Sequence, residues 1–179
     1  MKLISSLCLI GTPALAEACP AVTDQSQRIA EIVVELGQAR GEGEAQVLNR
    51  ELWEIWTDAP DEIAQSMLDE GMSRRSSYDF MGARNAFDRL VDYCPHYAEG
   101  YNQRAFVNYL NGKFDEALID LDRALDITPN HIAALSGKAL TLMGLGRNAE
   151  AQVVLRAALE MNPWLHERAL LEEPMETDL

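Results

Sequence analysis

Basic charge is scarce in this sequence: 15 Lys and Arg stand against 29 Asp and Glu, giving a formal net charge of −14 over 179 residues. Nucleic acids and anionic membrane surfaces are bound through clustered Lys and Arg side chains. The composition therefore argues against both as partners, and the acidic excess is typical of a solvated surface that aids solubility.

The sequence also lacks the motifs of common enzymes. It contains no H-E-x-x-H, no G-x-S-x-G and no P-loop, and its three cysteines form neither a C-x-x-C pair nor a cluster with histidine. His96, His131 and His166 recur every 35 residues, but stacked helices lie about 8–10 Å apart, too far for these side chains to share one ion. We therefore expect no enzymatic activity, no cofactor and no bound metal.

Long apolar runs are missing after the first few residues. Residues 1–16 combine a basic start, an apolar run and a small-x-small site ending at Ala16, which is the pattern of a cleaved secretory signal peptide. A membrane anchor would need about 20 apolar residues, and Glu17 interrupts the run too early; lipidation at Cys19 is a weaker alternative. We expect a periplasmic or secreted mature protein without a membrane span.

Few cysteines remain after such cleavage. Cys8 is removed with the signal, and Cys19 and Cys94 are left. Export would place them where disulfides persist, so we expect a bond that ties the N-terminal segment to the turn at Pro95. Two free thiols, or a link between two chains, are the alternatives.

What the sequence does contain is a repeat. Pro95, Pro129 and Pro163 are spaced 34 residues apart, a period typical of stacked repeat arrays. In register, the repeats cover residues 64–97, 98–131 and 132–165 without insertion or deletion. Each proline ends a helix, because it pushes the residue before it out of the α region.

Equivalent positions of the repeats carry equivalent residues. Small residues occupy positions 8 and 20, where two antiparallel helices can approach closely: Gly71, Ala105, Ala139, Ala83, Ala117 and Ala151. Gly112 and Gly146 fall where the first helix of a repeat must end and turn. This pattern resembles the tetratricopeptide repeat (TPR) family in its 34-residue form. The resemblance implies an all-α fold, a right-handed α-α superhelix of stacked helical hairpins.

The sequence departs from the family pattern at three kinds of position, one of which is Asn148, where an aromatic residue is usual. Tyr78 stands where a glycine is usual, and position 7 is charged instead of apolar. Because an unpaired, partly buried charge is costly, we expect Arg104, at position 7 of the second repeat, to reach either Asp120 or Asp122 on its partner helix as a structural ion pair.

Helical patterns also flank the repeats. Residues 17–63 predict two helices, from about Asp24 to Ala39 and from Glu44 to Thr57, with Val47 among the inward residues of the second. We interpret this hairpin as a degenerate repeat, one period upstream, that caps the array. Residues 166–179 predict a short capping helix and an acidic tail, which could also fold back across the groove.

The resemblance places the first helix of each repeat on the concave face of the array. The predicted partner-binding groove is apolar with a few polar anchors: Leu68, Met72, Arg75, Asn102, Phe106, Tyr109, Ser136, Leu140 and Met143. The family's carboxylate clamp is missing, since Ala133, Ser136 and Gly137 occupy its positions in the third repeat. Some of the groove residues could instead pack the first helices together.

We therefore predict an exported protein–protein interaction module that binds a segment of an envelope protein in its concave groove, as a scaffold or assembly factor. The alternative is a self-associating structural protein, a homo-oligomer with no ligand in the groove.

Overall fold

The computed structural model describes residues 18–172 and shows an all-helical chain in that range, as the sequence predicts. The signal-peptide prediction for residues 1–16 and most of the acidic tail lie outside the described residues. A short 3-10 helix, His166–Leu170, follows the α-helices. The α-helices are α1 Ser26–Gln38, α2 Glu42–Thr57, α3 Glu62–Ser76, α4 Phe80–Tyr93, α5 Ala98–Leu110, α6 Phe114–Ile127, α7 Ile132–Gly144 and α8 Asn148–Met161.

Three antiparallel hairpins, α3–α4, α5–α6 and α7–α8, form the repeat array, with α4 packed on α5 and α6 on α7. The small residues let the two helices of a hairpin approach closely. A Cβ atom added to Gly71 of α3 would lie 2.3 Å from the ring of Phe87 on α4, and this ring is fully buried. The alanines at the equivalent positions of the other two hairpins are buried as well. Close packing thus follows directly from the spacing of small residues.

The turn inside each hairpin uses a left-handed residue. Gly112 has φ +69° and Gly146 has φ +72°, and glycine adopts this region at no steric cost. Tyr78, the residue that replaces glycine in the first repeat, adopts the same conformation with φ 62° and is 83% exposed. The backbone at Tyr78 therefore keeps the left-handed conformation of the other two turns, although a residue with a Cβ atom disfavours it.

Replacing Tyr78 with glycine is expected to raise the free energy of unfolding by about 1 kcal/mol, because the left-handed conformation costs a residue with a Cβ about that much. The edge contact between the rings of Tyr78 and Phe80, whose centroids are 6.1 Å apart, is lost in exchange. Tyr78→Ala is the control, since it removes the ring and keeps the Cβ. Urea unfolding followed by circular dichroism measures both variants, and equal stability of the two would contradict the backbone explanation.

The N-terminal hairpin, α1–α2, does not stack one period upstream of α3. It lies against the far end of the array, where Ile32, Leu36 and Leu52 share an apolar cluster with Ile132 at the start of α7, and Trp164 packs on that cluster. Three bonds within the described residues hold it there. Trp164 Nε1 donates to Leu36 O at 3.1 Å, Asn162 Nδ2 donates to Asn49 Oδ1 at 2.7 Å, and Arg168 Nη2 donates to Glu42 Oε1 at 2.9 Å.

This placement also shows that one residue was wrongly predicted to lie on the inward face of α2. Val47 is 58% exposed, whereas Leu48 and Leu52 are buried. The apolar face of α2 points toward the end of the third repeat, so Val47 lies on the opposite side of the helix.

The two cysteines of the described chain lie at bonding distance. The sulfur atoms of Cys19 and Cys94 are 1.95 Å apart and their Cα atoms 5.2 Å apart. The segment before α1 is thereby tied to the turn between α4 and α5. Near this turn the Tyr97 hydroxyl donates to the Trp56 carbonyl oxygen at 2.6 Å, which fixes the end of α2.

The chain after α8 folds back along that helix. The predicted capping helix is a short 3-10 helix, and Gln152 of α8 holds its end by donating to the Leu170 carbonyl oxygen at 2.9 Å. Leu165 packs on the cluster of the N-terminal hairpin, whereas Ala169 and Leu170 are exposed. Within residues 18–172, none of the helices combines the length and the hydropathy that crossing a bilayer requires.

Candidate functional site

A cavity of about 670 Å³ lies between α2 and the inner faces of α5 and α7. Arg75, near the end of α3, borders the cavity on the side of the first repeat. Residues 164–167 border it beyond the third repeat. The N-terminal hairpin therefore changes the concave face from an open groove into a pocket with a wall on each side.

The structure brings six of the nine predicted groove residues to this pocket and leaves three elsewhere. The six lining residues are Arg75, Asn102, Phe106, Tyr109, Ser136 and Leu140. Leu68 is fully buried in the core of the first repeat, and Met72 packs against the same core. Met143 is partly buried and lies outside the lining.

The burial of Leu68 has a local cause. Cys19 and Ala59 pack on the cluster that contains Leu68. The disulfide and the link between α2 and α3 therefore add to the apolar cluster in which Leu68 is buried. For this reason Leu68 is a core residue, and its place in the predicted groove was wrong.

The opposite wall of the pocket was not predicted. Ala45, Asn49 and Trp53 of α2 recur every four residues, so they form one stripe, and Trp164 follows the third repeat. The four-residue spacing was visible in the sequence as a second stripe on α2, but nothing in the sequence places α2 opposite α5 and α7.

A buried polar network lies beneath the pocket. The carboxylate of Glu99, which is 1% exposed, accepts bonds from Asn102 Nδ2 at 3.0 Å, from Gln103 Nε2 and from His131 Nε2 at 2.9 Å. The Nδ1 atom of His131 accepts from the Ala134 amide at 3.3 Å and caps α7, which assigns the proton to Nε2. The network thus joins the starts of α5 and α7.

The N-terminal hairpin takes part in the same region through Trp56. Its ring stacks on the His131 imidazole with a centroid distance of 4.3 Å. Trp56 Nε1 is buried without a hydrogen-bond partner among the described residues. Burial, together with the negative charges of Glu99, Asp58 and Asp69, raises the pKa of the Tyr97 hydroxyl far above its usual range. Tyr97 therefore stays a neutral hydrogen-bond donor to α2.

Among residues 18–172, Arg75 is the one Lys or Arg side chain that lines this pocket. Its Nη1 donates to Gln103 Oε1, and its guanidinium carbon lies 4.9 Å from the centre of the Phe106 ring. Burial lowers the pKa of Arg75, and the negative charge of Glu99 partly opposes this shift. Besides Gln103, the neutral polar residues Asn102, Ser136 and Thr141 of α5 and α7 also line the pocket.

The charged residues at position 7 form ion pairs away from the pocket. Arg104 binds Asp120 with two bonds of 2.9 and 2.6 Å and also binds Asp88 at 2.9 Å. Burial acts to lower the pKa of Arg104, but the bonds with Asp120 and Asp88 outweigh it and raise the pKa. Asp122, the other predicted partner, binds Lys138 instead at 2.6 Å.

Two profiles of tetratricopeptide repeats match the sequence, one over residues 68–132 and the other over residues 108–171. Together they span more than half of the chain. The chain belongs to the tetratricopeptide repeat family. This TPR protein is 26% identical over 146 residues to a TPR repeat-containing protein of Rhizobium etli, covering 80% of this chain and 69% of the relative.

Solved TPR domains share the fold and confirm the predicted helical solenoid. The TPR2B domain of yeast Sti1, solved in a complex with pHsp70, superposes with a TM-score of 0.55 at 27% identity, over 56% of this chain and 81% of that chain. The Arabidopsis OM64 TPR domain gives a TM-score of 0.59 at 21% identity, over 61% and 90% of the two chains, and supports the fold alone.

Two histidines of this TPR protein border a second cavity of about 370 Å³ near Trp56: His96, and His131 of the buried network. His166 borders the first pocket instead. In residues 18–172, no group of three His, Cys, Asp or Glu side chains converges as a metal site would require.

Proposed function

We infer that this TPR protein is an exported interaction module that binds a short segment of an envelope protein in the pocket between α2 and the helices α5 and α7. The observation that carries this inference is the pocket itself, whose walls are largely aromatic and aliphatic with a few polar groups placed among them. Pockets of about 300–1,000 Å³ with this character are typical binding sites.

The apolar walls suit side chains of a bound segment. Trp53 is 40% exposed and Phe106 44% exposed, so large apolar surfaces remain uncovered on opposite sides of the pocket. Exposed aromatic residues that line a concave site are typical anchors for a partner. The complex of the yeast Sti1 domain with pHsp70 supports a role in protein binding for the same fold.

The wall formed by α2 limits the size of the bound segment. Because α2 lies over part of the concave face, an extended peptide of many residues does not fit along the whole array without movement of the N-terminal hairpin. We therefore assign a short segment, bound through a few side chains, to this site. Export is supported by the apolar start of the sequence and by the Cys19–Cys94 pair, which suits an oxidising compartment.

The test is a cross-linking pull-down of the tagged mature protein from the envelope fraction of its own cells, with wild type and the variant Phe106→Glu. We expect one protein recovered with wild type to fall at least about tenfold with the variant, because a buried carboxylate in an apolar contact is costly. Ile119→Glu is the matched control: Ile119 is 69% exposed on α6 and lies outside the pocket lining.

Equal recovery with all three proteins would contradict binding in the pocket. Recovery of the chain itself and nothing else, together with a mass in analytical ultracentrifugation that rises with concentration, would favour the self-associating structural protein.

A further inference from the structure

We propose that the pocket selects segments that carry an acidic side chain next to a bulky apolar residue, with the carboxylate bound to Arg75 and the apolar side chain placed against Phe106 and Leu140. This inference rests on the proposed function and adds the chemistry of the partner.

Its first support is the position of Arg75 without an acidic partner. Among residues 18–172, no ion pair within 4.0 Å is formed by this half-buried guanidinium. Arg104, which is buried to a similar degree, binds two carboxylates. A cation withdrawn from water is costly unless an opposite charge accompanies it, so Arg75 has an unmet preference for a carboxylate.

The nearest acid does not meet that preference. The Glu99 carboxylate accepts three bonds, from Asn102, Gln103 and His131, and Gln103 stands between it and Arg75 by donating to Glu99 and accepting from Arg75. Glu99 is therefore committed to the buried network. The remaining donors of the guanidinium are available to a ligand, and pairs between Arg and a carboxylate are strong when both bonds form.

The surroundings of Arg75 favour the side chain of Asp or Glu over the end of a chain. The Phe106 ring lies 4.9 Å from the Arg75 guanidinium carbon, and Leu140 lines the same pocket. The neutral polar side chains that α5 and α7 contribute to the lining are Asn102, Gln103, Ser136 and Thr141. A chain terminus would bring peptide N–H and C=O groups into this apolar site, where each would need a partner. An acidic side chain brings only methylene groups and its carboxylate, so the backbone of the segment can stay outside.

Charge at the other end of the pocket orients the segment. Arg75 comes from the first repeat, whereas Glu167 follows the third, and α5 and α7 lie between them. Glu42 also borders the pocket and is paired with Arg168 at 2.9 Å. A second acidic residue near Glu167 would be repelled. The expected segment therefore has one carboxylate at the end near Arg75 and neutral or basic residues at the other.

The probe is a random hexapeptide library with acetylated N-termini and amidated C-termini, presented to the mature protein. We expect enrichment of Asp or Glu beside an aromatic or aliphatic residue. The most enriched peptide and its Glu→Gln or Asp→Asn form are then measured by fluorescence polarisation. Wild type should bind the amide form about tenfold more weakly, whereas Arg75→Gln should show less than about a twofold difference.

Three further variants make the outcome decisive. Arg75→Lys keeps the charge and should keep the preference for the acidic peptide. Arg50→Gln removes an exposed arginine of α2 outside the pocket lining and should behave as wild type. Phe106→Glu should abolish binding of both peptides, and thermal unfolding verifies that each variant is folded.

The proposal is overturned if apolar peptides are enriched without acidic residues, or if the preference for the acidic peptide persists in Arg75→Gln. If those neutral peptides are lost with Phe106→Glu, the proposed function stands and only the role of Arg75 fails. If no peptide is enriched, or enrichment is unaffected by Phe106→Glu, both inferences fail.

Discussion

Reduction of the Cys19–Cys94 bond is expected to lower the free energy of unfolding by about 4 kcal/mol. The two cysteines are 75 residues apart, and a closed loop of this length restricts the unfolded chain by about that amount in the chain-entropy model. The loop contains α1 to α4, so the N-terminal hairpin is held at both ends when the bond is intact.

The measurement is urea unfolding of the mature protein with and without dithiothreitol. Cys19→Ser is the matched control, because it removes the bond and leaves the buried Cys94 side chain in place. This variant should have the stability of the reduced wild type and should not respond to dithiothreitol. The prediction would be contradicted if dithiothreitol lowered the unfolding free energy of the wild type by less than about 0.5 kcal/mol, which is the effect of an ordinary surface substitution.

The second large effect is expected for Glu99→Ala, a loss of about 4 kcal/mol in the free energy of unfolding. The substitution leaves the side chains of Asn102, Gln103 and His131 without their shared acceptor in a buried place. Removing one member of a buried charged network costs about 3–5 kcal/mol, because its partners stay buried and lose their bonds.

Glu54→Ala is the control for this substitution, since Glu54 is exposed on α2 and its replacement should change stability by less than about 0.5 kcal/mol. Glu99→Gln keeps the volume of the side chain and one hydrogen-bond acceptor. Its loss of unfolding free energy should therefore lie between those of Glu99→Ala and Glu54→Ala. The three variants are compared by urea unfolding at constant pH. If Glu99→Ala costs no more than Glu54→Ala, the network is not a stabilising one.

The repeat array could be predicted from the sequence because the residues that determine it lie close together in the chain. The prolines and the small residues recur within 34 residues, and each repeat packs on its neighbour. Even the exception at Tyr78 was visible, since its position alone identifies it as the residue that must replace glycine in a left-handed turn.

The position of the N-terminal hairpin could not be predicted in the same way. Its apolar residues show that α1 and α2 are each buried on one side. They do not show which other helices pack against that side. The deciding contacts join residues distant in sequence, such as Leu36 with Trp164, which are 128 residues apart. The site was therefore predicted on one wall only, and Ala45, Asn49 and Trp53 on the other wall were missed.

The contact between the N-terminal hairpin and the end of the third repeat also bears on how this chain folds. An open repeat array is a one-dimensional system in which folding can begin in any repeat and the end units fray independently. Here bonds between residues 113 to 128 positions apart join the first hairpin to the last. Such distant contacts raise the contact order and slow folding. They also couple both ends, so we expect less fraying of the terminal helices and one all-or-none unfolding transition, as in a globular domain.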